Sequence, residues 1–567
     1  MATIGIDFGT TNCVAATFTS GMPEVLMLDT PPLEWQPYGF DRVLPSVFAQ
    51  DEHARMTFGW EAKTSSGSRF EAVKRLFATQ QDLAFGADGD ALQVEEAATL
   101  LFAEIRRRAE ATGVAARQAV ITVPANSKGR ARHRTKICAG MGGFEVLGLI
   151  NEPTAAAMTY AQRNSDGRNY VVFDWGGGTL DVTVLQATEG VFIERASSGL
   201  SRSGGLDFDA RLNKAVTESL AQEFEWTAPQ RSAFRLEIEL AKIRLSQAEV
   251  ATLRLPDGSP YRLTRDRFEE VVMPLIEESR VPLERCFRDL GVGPGSVDAL
   301  VLVGGTCKIP AVRSFVRSLV GVDPDPDIDP MTAIGEGAAI AASILAGENQ
   351  DHDFFVSIEH ALGTFVMNPN SGELEFSTLI PKNHKLPAKA TSSYVPVVPG
   401  QTQVQIEVVE GDPDTPIADF VTLKQWSVPM PVGAEDQEAF DLTYEYDVSG
   451  ILHVTAVHQR TGSILLSDDV SYGVAEDKRK LTDIARRAQQ AVSSGQFPSS
   501  GASSSVIDPE AVELIQRATV KVIPFLDGDE ALEVSNRVHD LENADPAGTK
   551  SAKAALADSL APYSYLF

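Results

Sequence analysis

The chain lacks most of what would tie it to an oxidising compartment, a membrane or a nucleic acid. It has only 4 cysteines in 567 residues, Cys13, Cys138, Cys286 and Cys307, at spacings that fit neither a disulfide framework nor a metal site. Reduced thiols and a cytoplasmic location are the expectation. Cys13 abuts a glycine loop, where it could be a redox target, but a small buried hydrophobe is the commoner role for cysteine. No apolar run is long enough to span a bilayer, and the first residues read as a strand with no basic region before them. Positive charge is scarce: 50 Lys and Arg stand against 78 Asp and Glu, a formal charge of −28. That balance argues against a nucleic-acid or anionic-membrane partner, which needs concentrated cationic surface. What remains is an ordinary globular composition, 43% hydrophobic and 23% charged. The length calls for about two to four domains rather than one core.

The densest signal is NYVVFDWGGGTLD, Asn169 to Asp181. Tyr170 to Phe173 is an apolar, β-prone run that reads as a buried strand. It ends in Asp174, then Gly176, Gly177 and Gly178, then Thr179, before Leu180, Val182 and Val184 resume the strand alternation. Consecutive glycines let backbone approach a ligand closely, and their N–H groups can converge on a phosphate. Asp174 and Asp181 flank that loop, and carboxylates beside phosphates call for a divalent cation between them. Alone, the pattern also fits a plain tight hairpin. A second copy of the layout, IGIDFGTTN, places Asp7, Gly9, Thr10, Thr11 and Asn12 in the same order after a strand. Two such loops predict two related halves clamping one nucleotide.

Further along, FEAVKRLF (70–77) reads as a short helical piece carrying Lys74 and Arg75, and Glu95 to Glu110 as a helix with Ala98, Leu101, Phe102 and Ile105 on one face. Ala119 to Val123 is a buried strand stopped by Pro124, and the basic cluster Lys128 to Lys136 opens a helix. Glu152 precedes Pro153 at another helix start, where it either complements the helix dipole or orients an attacking water. The motifs IGIDFGTTN, AVKRLF, ITVPA, INEPTAAA, VVFDWGGGTLDVTVL, GGLDFD, LEIELAKIRLS and ALVLVGGTCKIP, in this order over more than three hundred residues, resemble the DnaK-type heat-shock ATPase chaperones of the 70-kDa class. The layout is most similar to a compact paralogue of that family.

The resemblance implies a multidomain fold: an α/β actin-like ATPase domain of two lobes over residues 1–347, a linker at 348–360, an antiparallel β-sandwich at 361–473 that binds peptide, and a short α-helical C-terminal lid at 474–567 broken by a Ser/Gly-rich stretch at 493–505. It implies ATP or ADP with Mg2+ in the cleft, with K+ as an optional companion. The family pattern gives Lys74, Glu152, Asp174, Thr179 and Asp181 the catalytic roles. Asp7, Asp174 and Asp181 would hold the metal through water, and Asp7, Gly9, Thr10, Thr11, Asn12 and Gly176 to Thr179 would meet phosphate. Gly204 and Gly205 would give a third backbone approach. Glu239, Lys242 and Ser246, which share one helical face, would meet ribose and adenine together with Gly304, Gly305 and Lys308. Lys308 stands where an arginine is usual, and lysine stacks less well on a base. Met331-Thr332 replaces an acidic pair on the adenosine side. Two stretches, between Phe77 and Glu95 and between Ala251 and Arg262, are short for the family. The usual nucleotide-exchange factor is therefore not expected to fit, and exchange is expected to be intrinsically fast or to use another partner.

In the second half the period changes to two: Val404-Ile406-Val408, Leu442-Tyr444-Tyr446 and Leu452-Val454-Ala456 alternate, with turns at Pro399-Gly400 and Ser449-Gly450. By the resemblance, Met367, Tyr394, Val397, Val404 and Ile406 line a groove for an extended apolar peptide; on periodicity alone they equally fill a sandwich core. The linker FFVSI (354–358) is shorter and more aromatic than the family's, and Asn126 replaces a tyrosine; both bear on how firmly the domains are coupled. Val474 to Val492 reads as a helix, and Asp508-Pro509-Glu510 as an N-cap and first turn of a helical tail. The expected activity is ATP-dependent binding and release of extended hydrophobic segments of unfolded proteins, with a J-domain co-chaperone as a candidate partner. The rivals are a nucleotide-sensing binding protein with weak coupling and a small-molecule kinase on the same fold.

Overall fold

In the computed structural model the described residues are 2–561, except 52–54, 66–67, 80, 82, 87–90, 126, 128, 164–168, 189–190, 201–202, 221–225, 350–352, 355–359, 369–370, 383, 385–386, 399, 412–415, 417–419, 432–438, 448–451, 471–477, 497–513, 516, 523–532, 535, 539 and 542–547. Two sheets of the same design build the first part. One runs in the order Glu145–Asn151, Ala116–Val123, Ala2–Phe8, Asn12–Thr19, Met22–Val25. The other runs Ala299–Val303, Asn169–Trp175, Leu180–Thr188, Val191–Leu200. In each, the strand that carries an aspartate near its end has a parallel neighbour on one side and an antiparallel one on the other. The internal repeat seen in the two Asp–Gly–Thr loops is thus a repeat of whole sheets. Tyr170 to Phe173 is buried throughout, as expected of strands covered on both faces.

The helix Ala333–Leu345 lies across the first sheet and against the helix Glu152–Arg163. It can do so because a Cβ on Gly5 would stand 2.0 Å from the Ala339 nitrogen, and one on Gly337 1.8 Å from the Ala155 oxygen. Larger residues at either position would push the elements apart.

The second part has two four-stranded antiparallel sheets. Their orders are Leu374–Ile380, Leu362–Met367, Gln403–Glu410, Val421–Pro429 and Ala388–Tyr394, Phe440–Tyr446, Leu452–His458, Ile464–Asp469. Alternate residues point inward, Phe440, Leu442, Tyr444 and Tyr446 on one strand and Leu452, Val454 and Ala456 on the next. One buried apolar cluster joins this core to Val120, Ile150 and Tyr170 of the first part. The segment Asp353–Phe354 adds a parallel strand to the edge of the second sheet, opposite Val191 and Phe192.

The helix Lys478–Ser494 packs on the first part. Ile484, Ala488 and Ala491, at helical spacing, enter the core that holds Leu101 and Phe102. Arg487 donates to Glu96 at 3.1 Å, and Gln489 to the Met141 carbonyl at 3.1 Å. Farther on, Ile515, Val522, Val538 and Leu556 share a separate small core against which Phe85 packs.

The expected helices appear as Val94–Ala111, Gly129–Met141, Glu152–Arg163 and Ala228–Leu245. The two short stretches are the hairpins Leu83–Phe85 with Ala91–Gln93 and Val250–Arg254 with Pro260–Thr264, the latter turning at Gly258 with φ +85°. Residues 70–77 differ from a single helical piece: Ser68–Phe70 is a strand, Ala72 is left-handed, and a 3-10 turn covers Val73–Ala78. Asn126, Phe355 to Ile358, Pro399, Ser449-Gly450, Asp508 to Glu510 and the Ser/Gly-rich break from 497 lie outside the described residues. Among the described residues no helix is long and apolar enough to cross a membrane.

Candidate nucleotide site

The two Asp–Gly–Thr loops face a common cavity of about 1070 Å³, large for a small-molecule site, where roughly 300–1,000 Å³ is usual. Asp7, Gly9, Thr10, Thr11 and Asn12 line it from the first sheet, and Asp174, Gly176, Gly177, Gly178 and Thr179 from the second. Lys74, Glu152, Gly304 and Gly305 complete the wall. Ser46 Oγ donates to the Gly9 carbonyl at 2.8 Å, fixing the first loop. The Thr306 hydroxyl and the Gly205 N–H both donate to the Gly176 carbonyl, at 2.8 and 3.0 Å, fixing the second. Gly304, at φ +82°, is a position only glycine fills: a Cβ there would lie 2.3 Å from the Trp175 oxygen.

Four carboxylates surround one ammonium. Lys74 Nζ lies 2.5 Å from Glu152 Oε1, and Asp174 faces Asp181 directly across the strand pair. Burial, then the charge of Glu152, pushes the Asp7 carboxyl up to about 7, against the pull of Lys74 and of the Thr122 hydroxyl that donates to it at 3.1 Å. The Asp181 carboxyl is pushed up to about 7 by burial and then by Glu152. Asp174 is raised well above the usual carboxylate range, by burial first and then by Glu152, Asp181 and Asp7. Burial alone would lower the Lys74 ammonium, but Glu152 and Asp7 outweigh it and hold it above its ordinary value. Like charges placed this way are unfavourable unless a cation is shared.

The donor set fits Mg2+ bound through water. Asp181 is 1% exposed, and although the Thr179 hydroxyl lies near enough to pull its carboxyl down, neither oxygen reaches full hydrogen-bond geometry with a described residue; Thr11 Oγ1 and Asn12 Oδ1 likewise lack a partner there. Oxygen ligands at this density suit Mg2+, which keeps several waters and takes its other ligands from phosphate. No group of three His, Cys, Asp or Glu among the described residues converges as a direct metal cage.

The other expected contacts divide. Gly204 and Gly205 pack against the back of the second loop. A Cβ on Gly204 would stand 2.5 Å from the Gly177 backbone, and the Gly205 N–H is already donated to Gly176. Glu239, Lys242 and Ser246 do share a face, but its partners are protein. Glu239 pairs with Lys63 at 2.7 Å, and Lys242 pairs with Asp209 at 2.7 Å and donates to the Gly205 carbonyl at 3.0 Å. Ser246 Oγ donates to the Lys242 carbonyl at 3.3 Å. Lys308 pairs with Asp329 at 3.0 Å, and Met331 lines the cavity. Cys13 is buried, with its thiol pushed up to about 12 by burial, the character of a packed hydrophobe rather than a redox centre.

The five residues expected in a peptide groove also divide. Met367 and Val397 are exposed, at 41% and 61%. Tyr394 is half-buried, with its hydroxyl 2.9 Å from Ser377 Oγ. Val404 and Ile406 lie inside the core between the two sheets. Arg75, which carries no role on the sequence alone, reaches across the cavity to the Gly178 carbonyl at 3.0 Å and to Asp207 at 3.2 Å.

Paired sheets with opposed glycine loops, a lysine and a carboxylate cluster mark a protein that clamps a nucleotide polyphosphate with its metal. The chain belongs to the Hsp70 family, whose description "Hsp70 protein" matches residues 72–493. It is 32% identical over 538 residues to the "Chaperone protein DnaK" of Thermus thermophilus, covering 86% of this chain and 84% of that protein. It is 31% identical over 516 residues to the protein of the same name from Methanothermobacter thermautotrophicus, covering 86% and 83%.

Proposed function

We propose that residues 1–347 are an actin-like ATPase domain whose nucleotide state controls peptide binding by the β-sandwich at 361–473, through the linker at 348–360 and the helical segment at 474–567. The chain is an ATP-hydrolysing chaperone that works with ATP, ADP and Mg2+ and binds unfolded polypeptides. The observation that carries the coupling is the strand Asp353–Phe354 on the edge of the nucleotide-binding sheet. With the helix Lys478–Ser494 seated on Val94–Ala111, it joins the site to both downstream parts.

Bound Mg2+ would supply charge neutralisation on the phosphates, with Asp7, Asp174 and Asp181 holding its waters. Lys74 adds the cationic charge that phosphoryl transfer calls for. Glu152, held by Lys74, orients the attacking water, and Thr179 with the N–H groups of the glycine loop fixes the terminal phosphate. This is positioning and electrostatics, with little covalent work for the protein. Met367, Val395, Val397 and Val398 are exposed apolar side chains of the kind that would meet an extended client segment. A J-domain co-chaperone is a further partner in this reading, and a cytoplasmic location accords with four buried free thiols. The test is whether an apolar peptide changes the rate at which the chain hydrolyses ATP; a rate blind to peptide would refute the coupling.

A further inference from the structure

Glu194 is a buried carboxylate that the nucleotide chemistry does not use. It sits on the strand Val191–Leu200, two residues beyond Phe192, so both project from the same face. They are 6% and 2% exposed. Its two oxygens are taken by two residues of the other half: Asn151 Nδ2 donates to one at 2.9 Å, and the Thr154 hydroxyl donates to the other. Arg132 Nη1 donates to Asn151 Oδ1 at 2.8 Å and sets the amide's orientation. Asn151 ends the strand Glu145–Asn151, and Thr154 lies in the first turn of the helix Glu152–Arg163. Glu152, which follows Asn151 directly, holds Lys74.

We propose that Glu194 is a positioning residue: by gripping Asn151 and Thr154 it aims Glu152 at the nucleotide, and through Phe192 it ties that aim to the pairing of Asp353–Phe354. The inference rests on the role given to Glu152 above. A carboxylate is costly to bury unless its oxygens are hydrogen-bonded, and burial, opposed by Thr154, Asn151 and Arg132, raises this one above its ordinary value. An apolar side chain would fill the place more cheaply if packing were its only role. Its reach is also specific, since it bridges the two halves at the one turn that carries Glu152. The link to the linker is equally direct, because Val191 and Phe192 are the residues that pair with Asp353 and Phe354.

The experiment uses the full chain with Glu194→Ala and Glu194→Gln, beside Glu152→Gln, and measures single-turnover ATP hydrolysis, ATP affinity and thermal unfolding. Supporting groups of this kind typically contribute about 10- to 100-fold. Glu194→Ala is expected to lower kcat by about that factor with ATP affinity within about twofold of the parent, and Glu194→Gln, which keeps the shape and one acceptor, to fall between. Phe354→Pro, which removes a backbone donor from the edge strand, is expected to change kcat in the parent and not in the Glu194→Ala background. Parent-like kcat in Glu194→Ala, beside a Glu152→Gln variant that has lost turnover, overturns this inference alone. Equal losses of stability, affinity and rate also overturn it, in favour of a packing role. A Glu152→Gln variant with parent-like turnover overturns the role of Glu152, and this inference with it.

Discussion

Replacing Glu239 with glutamine removes an ion pair that joins the helix Gly59–Thr64 to the helix Ala228–Leu245. Lys63, on the short helix Gly59–Thr64, meets Glu239, on Ala228–Leu245, at 2.7 Å with side chains 8% and 17% exposed. The Lys63 ammonium also lies 5.2 and 5.5 Å from the Trp35 and Trp60 rings. Those rings pack with Phe40, Val43 and Leu240 into a cluster against which Met331 rests. Burial would raise the Glu239 carboxyl, yet Lys63 and Lys242 hold it below its ordinary value, so the charged pair is the resting state. Removing one partner of a buried pair costs about 3–5 kcal/mol. Here the indole faces still hold Lys63, worth ~1 kcal/mol, and Glu239 retains some contact with water. A net loss of about 2 kcal/mol for the closed cleft relative to the open one is about 30-fold in rate. Stopped-flow release of a fluorescent ADP, chased with excess ATP, should therefore be about 30-fold faster in Glu239→Gln than in the parent. A rate within twofold of the parent would refute the view that this pair holds the cleft shut. The parent's own rate tests the fast exchange expected from the shortened lobe, a tendency this ion pair works against.

Two other outcomes follow from the charges. Asp181→Asn removes a buried carboxylate approached by the Thr179 hydroxyl but left without a full hydrogen bond, and should weaken the Mg2+ dependence of hydrolysis about 10- to 100-fold, read by titrating Mg2+ at fixed ATP; an unchanged midpoint would contradict the metal role. His133, on the helix Gly129–Met141, is pushed down to about 4 by burial and then by Lys136, against the pull of Asp469 in the sandwich. The unfolded chain therefore binds a proton that the folded chain does not, so the stability this site contributes is complete above about pH 6.5 and is lost as pH falls toward about 4. Between pH 7 and pH 5 the unfolding midpoint should fall further in the parent than in His133→Gln, and equal falls would contradict the burial of a neutral imidazole.

What the sequence made legible was local. Asp7-Gly9-Thr10 and Asp174-Gly176-Thr179 announce themselves because the turn, the glycine and the hydroxyl are neighbours in the chain, and the cavity lies where they predict. Period-two alternation likewise identified the sandwich strands. It identified Val404 and Ile406 as inward, but could not tell a groove from a core, since either buries the same face. The contacts that were illegible are long-range. Lys63 and Glu239 are 176 residues apart, and Arg487 and Glu96 are 391 apart. Glu194, a charged residue in an alternating strand, has the pattern of a solvated face, and only the arrival of Asn151 and Thr154 from the other half gives it a role. Glu239, Lys242 and Ser246 could be read as one helical face, but their pairings with Lys63, Asp209 and the Lys242 carbonyl were not legible, because spacing shows which residues point together and not what they meet.

The most direct test of the account is single-turnover ATP hydrolysis by the full chain, with and without an extended apolar peptide, alongside Lys74→Ala. Lys74 sits 2.5 Å from Glu152 in the carboxylate cluster, so its removal should leave nucleotide bound while slowing hydrolysis by roughly 100-fold or more. Peptide should change the parent's rate. Hydrolysis indifferent to peptide would contradict the coupling through Asp353–Phe354, and phosphoryl transfer to a small molecule in place of water would contradict the chaperone reading itself.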